Sequence, residues 1–157
     1  MKVYIASPLG FSEITRLVYK EIVKELEKLD IEVVDPWQLT DQSLINKCLN
    51  EKDLNVQKKL WEETNLIIGK NNETGLKSCD LVLAILDGVD VDSGTSAEVG
   101  FAYAWGKKVI GYRGDFRLAS DNIGSKVNLQ VQYFVDASGG TIFNTVEEVL
   151  RFFGADY

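Results

Sequence analysis

Apolar residues along the chain follow two rhythms, and the order in which these alternate predicts the fold. Residues 3–6 form a short continuous apolar run, a buried-strand signal, which Ser7, Pro8 and Gly10 then break. Ser12 is placed to cap a helix from Glu13. Ile14, Leu17, Val18, Ile22, Val23, Leu26 and Leu29 recur at helical spacing and predict one apolar face. Residues 31–34 read as a second strand, closed by Asp35 and Pro36. Strand, helix, strand is a crossover unit, so a parallel sheet is expected.

Residues 38–50 are polar and are expected to be helical. A further helix is expected over 54–77, interrupted by Gly69 and Gly75. Residues 81–86 are the most apolar run and the best central strand. An acidic loop follows, then a helix over 96–105 and a fourth strand over 108–112. Residues 113–128 read as a long, charged, Gly-containing loop, and 130–135 as a fifth strand. Gly139 and Gly140 make a turn before a last helix over 146–153. The expected architecture is a three-layer α/β sandwich around a mostly parallel five-stranded sheet, flavodoxin-like or Rossmann-like, with residues 1–157 as a single domain. Ligands of such folds sit beyond the carboxyl ends of the strands, which points to residues 7–11 and 87–98.

Composition narrows the chemistry. The chain has no histidine, which removes Ser-His-Asp and Cys-His catalysis and most zinc sites. Its net charge of −7, spread along the chain, argues against a nucleic-acid partner. Cys48 and Cys79 form no CxxC pair and read as two buried thiols of a reducing compartment. With no signal-like apolar segment at the N-terminus and no apolar stretch of about 18 residues, a cytoplasmic protein without a membrane span is expected. Dinucleotide and phosphate-loop glycine patterns are absent. Asp87, Asp90 and Asp92 lack the spacing of a calcium loop, and no metal is expected. Arg113-Gly114-Asp115 spells an adhesion tripeptide and is discounted on the expected location.

The carboxylates are the informative groups. Glu98 follows Thr95 by three residues, the spelling of a capping box in which the Glu folds back onto the cap. The same placement puts a Glu in a first helical turn, where the helix dipole would hold it ionised and fit to act as a nucleophile. Both readings stand on spacing alone. Glu98 lies near Asp92 at the carboxyl edge of the best strand. Paired carboxylates without histidine suit glycosyl transfer, where a carboxylate stabilises or captures an oxocarbenium ion. Tyr4, on the first strand, is placed to hydrogen-bond such a carboxylate, or simply to be a half-buried strand residue.

The block at 87–107, DGVDVDSGTSAEVGFAYAWGK, resembles the signature of the nucleoside 2-deoxyribosyltransferases. Weaker support comes from the opening strand with Tyr4, from 71–77 and from 128–130. The resemblance implies that Glu98 is the nucleophile attacking C1′ of the deoxyribose, that Tyr4 orients it, and that Asp92, in a loop with Gly94, binds the sugar hydroxyls. It implies that Phe11 stacks on the base and that Asn128 is lent to the sugar end of a neighbouring subunit's site. The family ends in a tyrosine whose carboxylate reaches the site, and Tyr157 is a loose parallel. Where some members carry an aspartate that handles the proton of the leaving base, this chain has Asn72, with Glu73 beside it. An amide cannot act as a general acid, so either Glu73 takes that role or hydrogen bonding alone assists departure.

The implied reaction is a double displacement that moves 2-deoxyribose between nucleobases through a covalent Glu98 ester, without a cofactor. The implied partners are 2′-deoxynucleosides, free bases and further copies of the chain, from dimer to hexamer, in a setting of nucleoside salvage. Two alternatives are set beside it. One is a 2′-deoxynucleoside 5′-monophosphate N-glycosidase, which Asp92 disfavours by repelling the phosphate. The other is a non-catalytic nucleoside-binding module, in which Glu98 is only a cap.

Overall fold

A computed structural model describes residues 1–118 and 120–154. The elements run β1 (Lys2–Ala6), α1 (Glu13–Lys28), β2 (Glu32–Val34), α2 (Gln42–Asn50), α3 (Leu54–Ser78), β3 (Leu81–Ile85), α4 (Ser93–Ala104), β4 (Lys108–Tyr112), α5 (Leu129–Ala137), β5 (Ile142–Phe143) and α6 (Val146–Phe152). Short 3-10 turns at Pro8–Phe11 and Pro36–Gln38 follow the first two strands. All strand pairings are parallel, in the order β2-β1-β3-β4-β5. This is the expected α/β architecture.

Alternation along β1 divides the core. Val3 and Ile5 pack with Ile22 and Leu26 of α1 and with Val149 and Leu150 of α6. Tyr4 and Ala6 point to the opposite layer, where Leu76 of α3, Val99 and Ala102 of α4, and Val131 and Val135 of α5 meet them. β3 is buried at every position, as a central parallel strand must be.

Four expectations are corrected. Residues 130–135 belong to α5, not to a strand; Asn128 caps this helix, its side chain accepting from the amides of Gln130 and Val131. The fifth strand is the two-residue β5. α3 is continuous through both glycines. At Gly75 a Cβ would lie 2.8 Å from Leu39 and 3.2 Å from Tyr4, so the missing side chain is what lets α3 sit close on β1. Finally, α1 buries Tyr19, Ile22 and Leu26, whereas Ile14, Leu17 and Val18 stay exposed, so its apolar residues do not form a single buried face.

Candidate active site

In this strand order the chain leaves β1 and β3 toward opposite layers: α1 lies on one face of the sheet and α4 on the other. A crevice opens between the two departing loops, at the carboxyl ends of the strands. It holds about 590 Å³ and is lined by residues from five segments, among them Ser7 and Phe11, Trp37, Trp61 and Asn72 of α3, and Asp92 to Thr95 with Glu98. Of the residues singled out in the sequence, Phe11, Asn72, Asp92, Gly94 and Glu98 line this one cleft.

The cap of α4 removes the capping-box reading of Glu98. The helix begins at Ser93, earlier than the expected 96, and its cap is Asp92, whose Oδ2 accepts from the Thr95 amide at 2.9 Å. Thr95 is therefore inside the helix and is no cap. The Glu98 side chain does not turn back on the backbone but accepts a hydrogen bond from the Tyr4 hydroxyl at 2.6 Å. Tyr4 is fully buried, and its phenol is held far above the ordinary range, by burial first and by the neighbouring Glu98 charge next, so it remains a donor.

Burial dominates the electrostatics of Glu98 as well. The expectation of a carboxylate held low by the helix dipole is not met, because desolvation pushes its pKa up to about 7. The Tyr4 hydrogen bond acts in the opposite direction, and the Asp92 charge adds to the rise. Glu98 thus titrates where a nucleophile or base is useful near neutrality.

Other sequence candidates lie elsewhere. Glu73 is exposed, pairs with Lys77 on the next turn of α3 and is not part of the cleft lining. Asn128 lines a separate depression with Val89, Asp90, Ser120 and Asp121. Tyr157 lies outside the described residues. Within the cleft, Asn72 leaves its side-chain Oδ1 buried without a hydrogen-bond partner. Sequence reasoning did not single out Trp37, Trp61, Asn65 or Ile68. Trp61, Asn65, Ile68 and Asn72 recur at helical spacing, and that stripe of mixed polar and aromatic residues is a signal for a cleft wall. Trp37 meets the edge of Phe11 with ring centres 4.7 Å apart, so the two rings form an aromatic corner of the cleft.

A carboxylate-bearing, aromatic-walled crevice at the topological switch of a parallel α/β sheet is where small-molecule sites of such folds lie. Residues 3–130 match the family model described as nucleoside 2-deoxyribosyltransferase, and the chain belongs to that family. It is a glycosyl-transferring enzyme of nucleoside chemistry. No curated protein matches the sequence. Solved structures match in fold. A conserved protein from Enterococcus faecalis V583 superposes with a TM-score of 0.69 at 23% identity, over 98% of this chain and 96% of that one. The 2-deoxyribosyltransferase of Bacillus psychrosaccharolyticus gives 0.67 at 22% identity, over 100% and 93%. The CMP N-glycosidase BcmB of Clostridium botulinum gives 0.57 at 21%, over 97% and 96%. Among the described residues no helix is long and apolar enough to cross a membrane.

Proposed function

We propose that the protein transfers 2-deoxyribose from one nucleobase to another, with Glu98 as the nucleophile. The observation that carries this reading is the 2.6 Å hydrogen bond from the buried Tyr4 hydroxyl to the Glu98 carboxylate, which aims that group at the cleft instead of the helix backbone. Ionised Glu98 attacks C1′ as the C1′–N bond breaks. The bonding pair leaves with the base, which takes up a proton, and a deoxyribosyl ester on Glu98 results. A second base attacks C1′ through its ring nitrogen and loses a proton. The carboxylate is released, and two inversions leave the configuration at C1′ retained. Asp92, at the same mouth, receives the sugar hydroxyls.

Departure of the base is assisted by hydrogen bonding from Asn72, since Asp92 and Glu98 are the only carboxyl groups among the described cleft residues. Glu73 has no part in it. The base lies between the aromatic corner of Phe11 and Trp37 and the α3 wall. Water intercepts the ester slowly, so hydrolysis accompanies transfer. Asn128 serves the site of a neighbouring copy, in keeping with its position away from its own chain's cleft.

Charge favours nucleosides over their monophosphates. None of the described cleft residues is Lys or Arg, and two carboxylates line the cleft, so a 5′-phosphate would be held near negative charge with no counter-ion. The deciding experiment is mass spectrometry after incubation with a 2′-fluoro-2′-deoxynucleoside, whose fluorine slows release of the ester. A single adduct mapped to Glu98, together with base exchange from deoxyinosine to adenine and no hydrolysis of deoxynucleoside monophosphates, is expected. An adduct on another residue, or monophosphate hydrolysis without exchange, overturns the reading.

A further inference from the structure

The Arg-Gly-Asp tripeptide at 113–115 plays no part in the reaction as proposed, yet each of its residues is bound to the loop that carries Asp92. Arg113 is the only buried charged residue among those described, at 5% exposure. Its guanidinium meets three carbonyl oxygens: Nη1 donates to Leu86 O at 2.6 Å, and Nη2 donates to Gly88 O at 3.2 Å and to Arg117 O at 3.1 Å. Leu86 and Gly88 lie just past the end of β3, where the ladder with β4 has finished. Their carbonyls would otherwise be orphaned, and a buried cation needs several acceptors.

The reverse tie is made by Asp87. Its Oδ1 accepts from the amides of Gly114 at 2.7 Å and Asp115 at 2.9 Å, just past the end of β4. A Cβ at position 114 would lie 2.3 Å from the Tyr112 hydroxyl, so a larger residue there has to displace that ring. Each charged side chain thus bonds to the other segment's backbone, and the two loops are tied reciprocally. Gly88, at φ +132°, makes the bend between them, and Val91 is buried at the far end of the loop. Asp92 follows directly and caps α4.

We propose that Arg113 and Asp87 form a clamp that fixes the 86–92 loop and so sets the position of Asp92, which makes Arg113 a positioning residue for sugar binding. This rests on the reading that Asp92 receives the sugar hydroxyls. The clamp acts on ground-state and transition-state binding alike, because the sugar hydroxyls are held throughout the reaction. Lysine keeps the charge but offers a compact ammonium in place of the planar fork, so it cannot span the same three carbonyls.

The test compares wild type with Arg113→Lys and Arg113→Met, by donor-nucleoside kinetics and by amide hydrogen exchange. For Arg113→Lys, KM for the donor nucleoside rises by about 5- to 20-fold while kcat falls by less than about 3-fold. The amides of Gly114 and Asp115 and those of residues 87–92 exchange faster, whereas those of β1 do not. An unchanged KM with only a lower melting temperature, or unchanged loop exchange, overturns the clamp. Should Arg113→Met fail to fold, Arg113→Lys still decides. Should wild type itself neither exchange bases nor form the Glu98 adduct, the functional reading fails, and hydrogen exchange alone still tests whether the loop is held as described.

Discussion

At the scale of single residues, the proposed chemistry rests on a buried acid and a buried phenol that share a proton's reach. The Tyr4 hydroxyl lowers the pKa of Glu98 against the larger, opposing effect of burial. Tyr4→Phe removes only that lowering influence, so the acid limb of the kcat/KM profile, placed near pH 7 by Glu98, moves to higher pH. The sign follows from the need for an ionised nucleophile, which is depleted below its pKa. Activity at pH 6 drops by about 10-fold and at pH 9 by about 3-fold or less. A profile that falls uniformly without moving would show that Tyr4 acts through geometry alone. The positions of Glu98 and Asp92 were legible in the sequence because they sit in one contiguous loop-to-helix block. The pKa of Glu98 was not. Its desolvation comes from residues distant in sequence, and a first-turn rule has no access to them.

At the scale of elements, the crevice depends on how short turns after β1 and β2 press together. Trp37 lies against Gly10, where an added Cβ would fall 2.1 Å from the indole Cε2. Gly10→Ala therefore pushes the indole off its seat and breaks the Phe11–Trp37 corner, at a cost in stability of about 1–3 kcal/mol. KM for the nucleoside rises, Trp fluorescence shifts, and the rate of adduct formation at saturation stays within about 3-fold of wild type. Unaltered KM would remove this corner from the binding site. Trp37 escaped sequence reading because nothing local distinguishes it from any aromatic after a strand. α5 was misread for a different reason. Gln130 to Val135 alternates polar and apolar at first and carries Val, Tyr and Phe, so a six-residue window fits a strand. The helix instead buries Val131 and Val135, four apart, and packs Phe134 beside them. The cap at Asn128 was the available clue. β5, with two residues, is too short to leave a periodic signal.

At the scale of the whole molecule, the parallel sheet and its layering were legible because βαβ repetition leaves few alternatives. What one chain cannot show in its sequence is which residues serve another copy. Asn128 caps α5 and borders a depression remote in lining from the cleft. If sites are shared, Asn128→Ser and Glu98→Ala are each poorly active alone, and co-refolding them restores a fraction of wild-type exchange in mixed assemblies. Serine keeps the helix cap, so a loss in Asn128→Ser reports on the site rather than on stability. Failure of the mixture to regain activity, with mixed assemblies demonstrated, would confine each site to its own chain.

The proposed nucleophile and its phenol are not on the periphery. Tyr4 belongs to a strand flanked on both sides by other strands, and Glu98 to a helix whose inner face is core. Sub-global breathing that frees termini and surface turns leaves such a pair intact. On warming, the aromatic corner built on the turns is expected to loosen first, and with it the proposed affinity for the base, while the Tyr4–Glu98 pair persists until the sheet itself melts.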